Sequence, residues 1–487
     1  MTSLLRNLQK IEPLWFWMIG ALWSFYEGLS SYGLLNNNEG LYAQIAWEML
    51  ENKSFIIPTL NGVPYIEKPP LLYWLIALSY SLFGKSVWAA RCVPATFGCL
   101  TAFSLFFFYR SLGYRREGFY ATMILASSLG FLIFSRMIFF DGLLTAFLTF
   151  SLLSFYLWQF QERNHWKVLF YTFLGGAVLA KGLLSLCLVG LITAGFLGLT
   201  KGWKALLHLF DPLGLLIFAL ITIPWHGAAS LQLPEFSWFY FINEHILRFL
   251  DQRLPRDYYR GPFYYYLIRL PAYFLPWTFF LPFWGKKTSQ TFKDRPFLFF
   301  VWLWFLIPLA FFTLSKAKAN YYMMVGMPPL ALLLVEYGKD RLRFDRLIKI
   351  GTLVSGVAIT AASFIIPYYE SSISCKQAGE FLHKYSNASP IYLYKRFEQI
   401  SSIVFYHGKP IPILDSESAD LAFGASLDQG KSHFLTWEEE KRHNSTFICL
   451  VCPRDKMDFH QKTDGQSELL YQDPSVLIYQ VREGREG

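Results

Sequence analysis

An acid and a base stand side by side in a polar stretch between two very hydrophobic parts of the chain. Glu67 and Lys68 are followed at once by Pro69 and Pro70. The first proline biases Lys68 away from helical dihedrals, and the φ angle of the second suits the first turn of a helix. The simplest interpretation is a surface ion pair before a helix. In a chain this apolar, charges near membrane depth are costly and usually functional, so we expect the pair to take part in chemistry.

A second charged stretch lies between residues 230 and 262. It contains His245 and four arginines, and on a helix His245 and Arg248 share a face. Arginine forms forked hydrogen bonds to phosphate, so a lipid phosphate is one expected partner. The alternative is that the arginines pair with neighbouring carboxylates or with ordinary lipid head groups. Other charged residues of this stretch include Arg253, Arg256, Arg260, Glu244, Asp251 and Asp257.

Further polar residues fall at those ends of hydrophobic segments that the loop charges place outside. We expect them to line one cavity that faces outward. Carboxylates and a histidine can bind a divalent cation, lysine and arginine can hold phosphate, and a carboxylate can act as general base. This inventory suits transfer of a group from a membrane-embedded phospho-lipid to an outer acceptor. The residues are Glu39, Glu67, Lys68, Arg136, Asp141, Lys181, His245, Arg248, Lys316, Lys318, Tyr321 and Tyr322.

The composition of the chain is that of a membrane protein. Its 487 residues are 54% hydrophobic and 19% aromatic, and only 16% are charged, with a formal net charge of +9. Apolar runs of membrane-spanning length recur between residues 14 and 367, which predicts a polytopic all-α membrane protein. The basic excess lies in short loops between these runs, as the positive-inside rule describes, so we expect no nucleic-acid partner.

The first long loop is predicted to contain two helices that lie in the outer membrane interface. Residues 38–51 place apolar side chains on one helical face, with Asn38 as the natural N-cap. Residues 71–84 are apolar but short, and a span there would move the arginine-rich loop 110–117 to the outside. We therefore expect this segment to lie on the outer leaflet as well.

The charges of the loops predict about eleven spans, or up to about thirteen helices, with residues 1–12 in the cytoplasm. The run 168–199 has basic loops at both ends and must form a hairpin with Lys181 near its outer tip. The membrane domain is predicted to comprise residues 1–368. Residues 369–487 alternate strand-like runs with polar helical segments, which is typical of a small α/β domain. Parity places this domain outside the membrane, and we interpret it as accessory.

The chain resembles the polytopic glycosyltransferases of GT-C type that use polyprenyl-phosphate sugars. This group includes the 4-amino-4-deoxy-L-arabinose transferases of lipid A and the protein O-mannosyltransferases. The E-K-P-P-L-L-Y-W run and the E-H-I-x-R-F run are specific when found together. The matching segments, in chain order, are NEGLYAQIAWEML, IPTLNGVPYIEKPPLLYW, AARCVPATFG, SRMIFFDGLLTAFL, AKGLL, IPWHG, NEHILRF and SKAKANYYMMVGMPPLALLL.

The resemblance implies roles for individual residues. Glu67 and His245 match the metal-binding positions of the family, which implies a divalent metal ion as cofactor. Lys68, Arg248 and Tyr322 match groups around the lipid phosphate. Further candidates for binding the donor phosphate are Lys181, Tyr321 and Arg136.

The acidic positions depart in part from the family pattern. Asp141 matches the second acidic position, but the usual Asp-Glu pair at the first position is replaced by Asn38-Glu39. Asparagine cannot act as a general base. Either Asp141 or Glu39 takes over, the acceptor needs weaker activation, or the activity is impaired. Asn38, Tyr42 and Tyr65 are assigned to the acceptor side or to local structure.

We therefore expect an inverting glycosyltransferase of the bacterial inner membrane. Its donor is a polyprenyl-phosphate sugar of the undecaprenyl type, and cationic side chains neutralise the leaving phosphate. The acceptor is lipid A, another envelope glycolipid or a protein. A lipid flippase or solute transporter is the alternative from another class, although the sequence lacks the repeats and broken midplane helices typical of transporters. A scaffold for envelope assembly would leave the E-K-P-P run without a role.

Overall fold

The computed structural model describes most of the chain. Predictions about residues 1–12, Arg256, Asp257 and the basic loop 286–294 lie outside the described residues. Packing divides the chain into two compact units. The first comprises Met1–Leu29, Glu67–Leu72 and Arg91–Ala361, and the second comprises Ser30–Ile66, Tyr73–Ala90 and Ala362–Gly487. The described ranges are 14–255, 260–284, 295–341, 343–385, 389–427, 430–443 and 446–482.

Helices make up most of the described chain up to residue 365. They are separated by short turns, by 3-10 segments and by one π-helix, Trp238–Leu247. The α-helices are α1 (Leu14–Trp23), α2 (Asn38–Glu51), α3 (Leu71–Phe83), α4 (Val87–Ser111), α5 (Arg115–Ala126), α6 (Leu129–Ser135), α7 (Phe140–Gln161), α8 (Asn164–Lys181), α9 (Leu183–Thr200), α10 (Pro212–Gln232), α11 (Tyr265–Tyr273), α12 (Pro296–Leu314), α13 (Met327–Gly338) and α14 (Phe344–Ile365).

Six helices in the described part of the chain are long and apolar enough to cross a membrane. They are α4, α7, α9, α10, α12 and α14. A seventh crossing results if α5 and α6, which are bent by 68° relative to each other, form one broken span. The other predicted crossings fall on shorter or interrupted helical segments. The architecture is the polytopic helical one that the composition predicts.

Two segments predicted as continuous spans are interrupted. The first helix ends at Trp23, and residues 24–30 continue as turns, in which Gly28 has a φ angle of +64°. The segment 263–284 is divided into α11 and the 3-10 helix Trp277–Trp284. Pro276 lies in that break, where its missing N–H cannot continue a helical ladder. Hydropathy alone does not register such interruptions.

The predicted hairpin between residues 168 and 199 is present. Helix α8 ends at Lys181 and α9 begins at Leu183, so that Lys181 lies at the tip. Gly182 forms the turn with φ +70° and ψ −151°. This conformation is essentially restricted to glycine.

The second unit contains the predicted small α/β domain. Its sheet has the order β5-β4-β3-β6-β8-β7, in which β5, β4, β3 and β6 are parallel and β8 and β7 are antiparallel. The strands are β3 (Ile391–Tyr394), β4 (Ile413–Leu414), β5 (Phe434–Leu435), β6 (Thr446–Val451), β7 (Ser467–Gln472) and β8 (Leu477–Arg482). The helices are α15 (Glu370–Ile373), α16 (Lys376–Lys384), α17 (Ser402–His407), α18 (Ala422–Ser426), α19 (Trp437–His443) and α20 (Lys456–Thr463).

The first long loop packs into the same compact unit as this sheet. The Asn36 side-chain oxygen accepts hydrogen bonds from the backbone N–H and the hydroxyl of Ser402, at 3.3 and 2.6 Å. The backbone N–H of Asn37 donates to the Glu398 carbonyl at 3.0 Å. A Cβ atom on Gly40 would lie 2.6 Å from the Ser402 Cα, so only glycine permits this approach. The domain boundary predicted at residue 368 stays a prediction, but the C-terminal segment is packed closely around the first loop.

A short hairpin in the first loop is fixed from two sides. Strands β1 (Thr59–Leu60) and β2 (Val63–Pro64) are joined by Asn61 and Gly62, both with positive φ, as a tight turn of this kind requires. The Asn61 side chain accepts from the Ile411 N–H and donates to its carbonyl, both at 2.7 Å. The buried Glu48 carboxylate accepts from the N–H groups of Asn61 and Gly62 at 2.8 and 3.1 Å.

We expect Asn61→Gly to destabilise this unit while keeping the backbone of the turn. The substitution permits positive φ but leaves the N–H and C=O of Ile411 without their partner, at a cost of about 1–3 kcal/mol for each buried group. Thermal unfolding of the purified protein measures the loss. The control is Asn52→Gly, because the Asn52 side chain makes only an exposed bond of 3.4 Å to Thr59. Equal unfolding temperatures for the two variants would contradict the role assigned to Asn61.

Candidate active site

Glu67 and Lys68 lie immediately before a helix, as the two prolines predict. The segment 67–70 is irregular, and α3 begins at Leu71. Both charged residues belong to the first compact unit, whereas most of α3 belongs to the second. The Lys68 ammonium donates to the Glu67 carbonyl at 3.2 Å and lies 3.5 Å from Glu67 Oε2.

Two segments of the first unit converge on a buried carboxylate that was not among the predicted site residues. Glu244 Oε2 accepts from Lys68 Nζ at 3.1 Å and from Arg248 Nη1 at 2.9 Å. Its Oε1 accepts from Arg253 Nε. The second nitrogen of the Arg253 fork, Nη2, donates to Glu67 Oε1 at 2.6 Å. These five residues, which we call the five-charge cluster, join residues 67–68 to residues 244–253.

The charges of this cluster stabilise one another. Burial by itself raises the pKa of Glu244, but the nearby Lys68, Arg253 and Arg248 outweigh it and hold the pKa of Glu244 well below its usual range. Glu244 is therefore ionised. Its side chain is only 1% exposed, whereas those of Lys68 and Arg248 are 15% and 19% exposed. The cations are reachable, and the carboxylate that holds them lies behind them.

The motif N-E-H has a separate task for each residue. The Asn243 side chain accepts from the Leu254 N–H at 2.9 Å and donates to its carbonyl at 2.8 Å. This pairing fixes the loop that carries Arg253 beside the π-helix. Glu244 accepts hydrogen bonds from Lys68, Arg248 and Arg253, and His245 bonds to the α8–α9 turn. A π-helix is wider than an α-helix and often marks functional sites, and His245 Nδ1 contacts the carbonyl five residues earlier, that of Tyr240, at 2.7 Å.

The hydrogen bonds of His245 determine its tautomer. Nδ1 faces the Tyr240 carbonyl, which only accepts, so Nδ1 carries the proton. Nε2 faces the N–H of Leu183 at 3.2 Å and must be the acceptor. Burial lowers the pKa of His245, which favours the neutral imidazole. His245 thus connects the π-helix to the α8–α9 turn, where a Cβ atom on Gly182 would lie 2.3 Å from Nε2.

A second ion pair lies at the tip of that hairpin. Lys181 Nζ contacts Asp141 Oδ1 at 2.5 Å, and both side chains are nearly fully buried. Asp141 is in the first turn of α7 and Lys181 is the last residue of α8, where helix dipoles favour an anion and a cation respectively. Lys181 also lies 4.5 Å from the ring centre of Tyr322 and 5.9 Å from that of Tyr321. The structure therefore groups these four predicted residues.

The Lys181–Asp141 pair interacts electrostatically with the five-charge cluster. The Lys181 ammonium experiences repulsion from Lys68 and Arg248. His245 bonds to Leu183, two residues beyond Lys181, and experiences the charges of Lys68, Glu244 and Arg248. The Lys181–Asp141 pair and the five-charge cluster of the first unit therefore lie close enough to influence each other's charges.

The predicted metal site does not fit this geometry. Both oxygens of Glu67 face cations, with Arg253 at 2.6 Å and Lys68 at 3.5 Å. The lone pair of His245 Nε2, which a metal would need, accepts the Leu183 N–H. Across the described ranges no three His, Cys, Asp or Glu side chains gather as a metal site requires. The assignment of a divalent ion to Glu67 and His245 is thus unsupported by the residues present.

Two of the predicted cationic residues donate hydrogen bonds to backbone carbonyl groups. Arg136, proposed as a phosphate ligand, donates to the Ser24 carbonyl at 3.1 Å and to the Glu27 carbonyl, beyond the end of α1. Lys318 donates to the carbonyls of Phe312 and Thr313 at 2.6 and 2.7 Å, and to that of Ser315. Both therefore bind backbone carbonyl groups at or just beyond a helix end, where the helix itself supplies fewer donors.

Lys316 lies in the first unit and is exposed, and the remaining predicted residues belong to the second unit. Glu39 is fully buried, and its Oε2 accepts from the Leu35 N–H at 3.1 Å. Helix α2 begins at Asn38 itself, so the predicted N-cap role of Asn38 is wrong: Asn37 occupies the cap position and makes no side-chain capping bond. Tyr42 packs its ring 6.1 Å from that of Tyr73, and its hydroxyl lies 3.5 Å from Asn38 Oδ1. Tyr65 is buried, and its N–H donates to the Pro58 carbonyl at 2.8 Å.

A family model matches a third of the chain that includes much of this site. The model describes dolichyl-phosphate-mannose-protein mannosyltransferases and matches residues 67–227. The matched range begins at Glu67 and contains Asp141 and Lys181. It ends before the π-helix that carries Glu244 and is followed by Arg248.

Bacterial relatives are similar over a longer range. An undecaprenyl phosphate-alpha-4-amino-4-deoxy-L-arabinose arabinosyl transferase of Pseudomonas fluorescens is 32% identical over 326 residues, which cover 65% of this chain and 58% of that protein. The transferase of the same description from Aeromonas hydrophila is 29% identical over 352 residues, covering 71% of this chain and 63% of that protein. The chain thus spans less than two thirds of the length of these curated relatives.

A solved structure shares the fold. The structure of ArnT from Cupriavidus metallidurans bound to undecaprenyl phosphate superimposes with a TM-score of 0.85 at 18% identity, covering 96% of this chain and 98% of that one. This likeness establishes the fold, and the predicted GT-C architecture with its small C-terminal α/β domain is confirmed. The predicted resemblance to polyprenyl-phosphate-sugar glycosyltransferases is confirmed as well.

The α8–α9 turn provides a test of the site's geometry. We expect Gly182→Ala to lower the unfolding free energy by about 1–3 kcal/mol, because its backbone conformation is essentially restricted to glycine. The new methyl group must also displace His245. The matched control is Gly190→Ala in α9, where a Cβ atom meets nothing within 4 Å. Thermal unfolding of both variants measures the difference, and an unchanged Gly182→Ala protein would contradict the contact with His245.

Proposed function

We propose that this chain is an integral membrane glycosyltransferase that uses a polyprenyl-phosphate sugar as donor. The single observation that carries the proposal is the pair of reachable cations, Lys68 and Arg248, held at one carboxylate oxygen of Glu244. A phosphate that approaches their exposed side meets two converging positive charges. The similarity to undecaprenyl phosphate-dependent arabinosyl transferases favours undecaprenyl phosphate as the carrier lipid.

The cations act on the leaving group. The bond between the anomeric carbon and the phosphate oxygen breaks, its electron pair goes to that oxygen, and negative charge accumulates on the phosphate. Lys68 and Arg248 stabilise this charge, as preorganised cations do in phosphate chemistry. Lys181 lies 4.5 Å from the ring centre of Tyr322 and experiences the charges of Lys68 and Arg248, so Lys181 and Tyr322 are proposed to assist in binding the phosphate.

Asp141 is the proposed proton acceptor. The acceptor hydroxyl attacks the anomeric carbon and loses its proton to a carboxylate, a step worth roughly 100-fold or more in rate. Lys181 holds Asp141 Oδ1 at 2.5 Å and keeps the carboxylate oriented. Glu39 remains the alternative base, although its carboxylate accepts a backbone N–H within its own loop. If Asp141 and Glu39 are both dispensable, the alternative is that the Asn38 amide orients the acceptor.

The proposal contains no step at a metal ion. Glu67 and His245 are the residues that the resemblance assigns to such an ion, and both are engaged by Arg253 and Leu183. The acceptor is proposed to be lipid A or another envelope glycolipid. A protein acceptor is the second possibility to test, because the matching family model describes protein mannosyltransferases.

We also propose that the C-terminal α/β domain faces away from the cytoplasm. Loop charges place residues 339–349 inside. A cysteine introduced at the exposed Lys431 should react with a membrane-impermeant maleimide in intact spheroplasts. A cysteine at the exposed Asp340 should react only after the membrane is opened. The reverse labelling pattern would overturn the orientation.

The activity is tested with purified protein and a radiolabelled undecaprenyl-phosphate sugar. We expect Lys68→Ala and Arg248→Ala each to lower transfer to lipid A by about 100-fold, because each removes a charge at the leaving phosphate. Asp141→Asn should cost about as much through loss of the base. The activity should persist after dialysis against EDTA.

Matched controls separate these effects from loss of structure. Lys204→Ala removes an exposed lysine outside the predicted site, and Asp211→Asn breaks the Lys167–Asp211 ion pair of 2.8 Å, which also lies outside the site. Both controls should retain near-native rates. Wild-type protein that translocates labelled lipid without transferring sugar would support a flippase instead, and activity lost in EDTA but restored by Mg²⁺ or Mn²⁺ would contradict the metal-free scheme.

A further inference from the structure

The position of Glu244 is unusual for a residue beside a phosphate site. Its carboxylate lies behind Lys68 and Arg248 and is almost inaccessible, while both cations are partly exposed. One of its oxygens serves both of these cations, and the other binds Arg253. A carboxylate placed there opposes the charge that a phosphate needs. Its presence therefore calls for a reason beyond anchoring.

The net charge of the five-charge cluster gives a reason for this carboxylate. Lys68, Arg248 and Arg253 are opposed by Glu67 and Glu244, which leaves a single positive charge. The neighbouring Lys181 and Asp141 cancel each other. Among the described residues, these seven side chains carry one unit of positive charge in total, although four of them are cations.

The substrate and the product of the proposed reaction differ in charge. The donor is a phosphodiester and carries one negative charge. When the bond to the sugar breaks, the carrier lipid leaves as a phosphomonoester, which carries between one and two negative charges at neutral pH because its second pKa is about 6. The cluster therefore matches the donor and only partly neutralises the product.

We propose that Glu244 is a charge-balancing positioning residue that limits the affinity of the site for the leaving polyprenyl phosphate. It orients Lys68 and Arg248 toward the phosphate while it keeps the cluster at one positive charge. The product monoester is then bound less tightly than three unopposed cations would bind it, and it leaves. This inference rests on the proposed function and extends it to product release.

Glu244→Gln tests the sign of this effect. The amide keeps a similar size and removes one negative charge. We expect the inhibition constant of undecaprenyl phosphate to fall about tenfold, because one added charge at this range is worth at least that much inside a protein. The KM for the monoanionic donor should fall by less. Glu235→Gln is the control, since Glu235 is an exposed carboxylate nine residues earlier in the same connection, and its inhibition constant should stay native.

Glu244→Asp separates charge from geometry. It keeps the charge but shortens the side chain, so we expect an inhibition constant within about threefold of the wild type. If Glu244 only held the cations in place, both variants would bind undecaprenyl phosphate more weakly than the wild type. That result, or an unchanged inhibition constant in Glu244→Gln, would overturn the proposal. If Glu244→Gln does not fold, a Glu244→Asp protein with tenfold altered inhibition overturns it, and one with native inhibition supports it.

A direct binding measurement distinguishes failure of this inference from failure of the proposed function. Thermal unfolding of wild-type protein is followed with undecaprenyl phosphate and with the uncharged undecaprenol. A shift with the phosphate alone supports the donor site, and the variants then decide the role of Glu244. No shift with either lipid would remove the proposed function itself.

Discussion

Ionised side chains in a low-dielectric setting must neutralise one another, and the first compact unit of this protein is arranged around that constraint. Removing one partner from a buried ion pair leaves an uncompensated charge and costs several kcal/mol. Glu244 is held by three cations, and one of these, Arg253, also holds Glu67. The contacts bridge 186 residues of sequence, so residues 67–72 are joined to the helical body by charge as well as by the chain.

In the second unit, the buried groups that need partners are backbone N–H and C=O groups rather than charged side chains. Its loops contain few regular ladders, so their N–H and C=O groups need side-chain partners when buried. Asn36, Asn61 and Glu48 supply them, each bonding to backbone that would otherwise be unsatisfied. The C-terminal segment is therefore more than accessory in its packing, because it contributes Ser402 and Ile411 to the contacts that shape the loop around Asn38 and Glu39.

Much of the architecture could be predicted from the sequence, whereas side-chain partners and interruptions of helices could not. Hydropathy and loop charge predicted the polytopic fold, and the two basic loops around 168–199 predicted the hairpin with Lys181 at its tip. The roles of Glu244, Arg136 and Lys318 could not be predicted, because each depends on partners brought together only by the fold. The signal for Glu244 was nevertheless present: an acid beside His245 in the same motif as Arg248, within a stretch rich in arginine. Hydropathy also could not show that residues 24–30 leave the helix, since turns made of apolar residues look like a span.

In this chain, the partner that a cation binds distinguishes cations available to a ligand from cations with a structural role. Lys318 and Arg136 donate to carbonyl oxygens near helix ends and are almost fully buried. A cation that binds backbone carbonyls in this way is part of the local structure, because its removal would leave buried acceptor groups to be satisfied anew. Lys68 and Arg248 instead face a carboxylate and remain partly exposed. A carboxylate holds a cation by charge and by hydrogen bonds, and an arriving phosphate can share that cation without breaking helical backbone structure. Cations that the sequence places at one membrane depth are therefore not equivalent, and the proposed phosphate site rests on the cations whose partners are acidic.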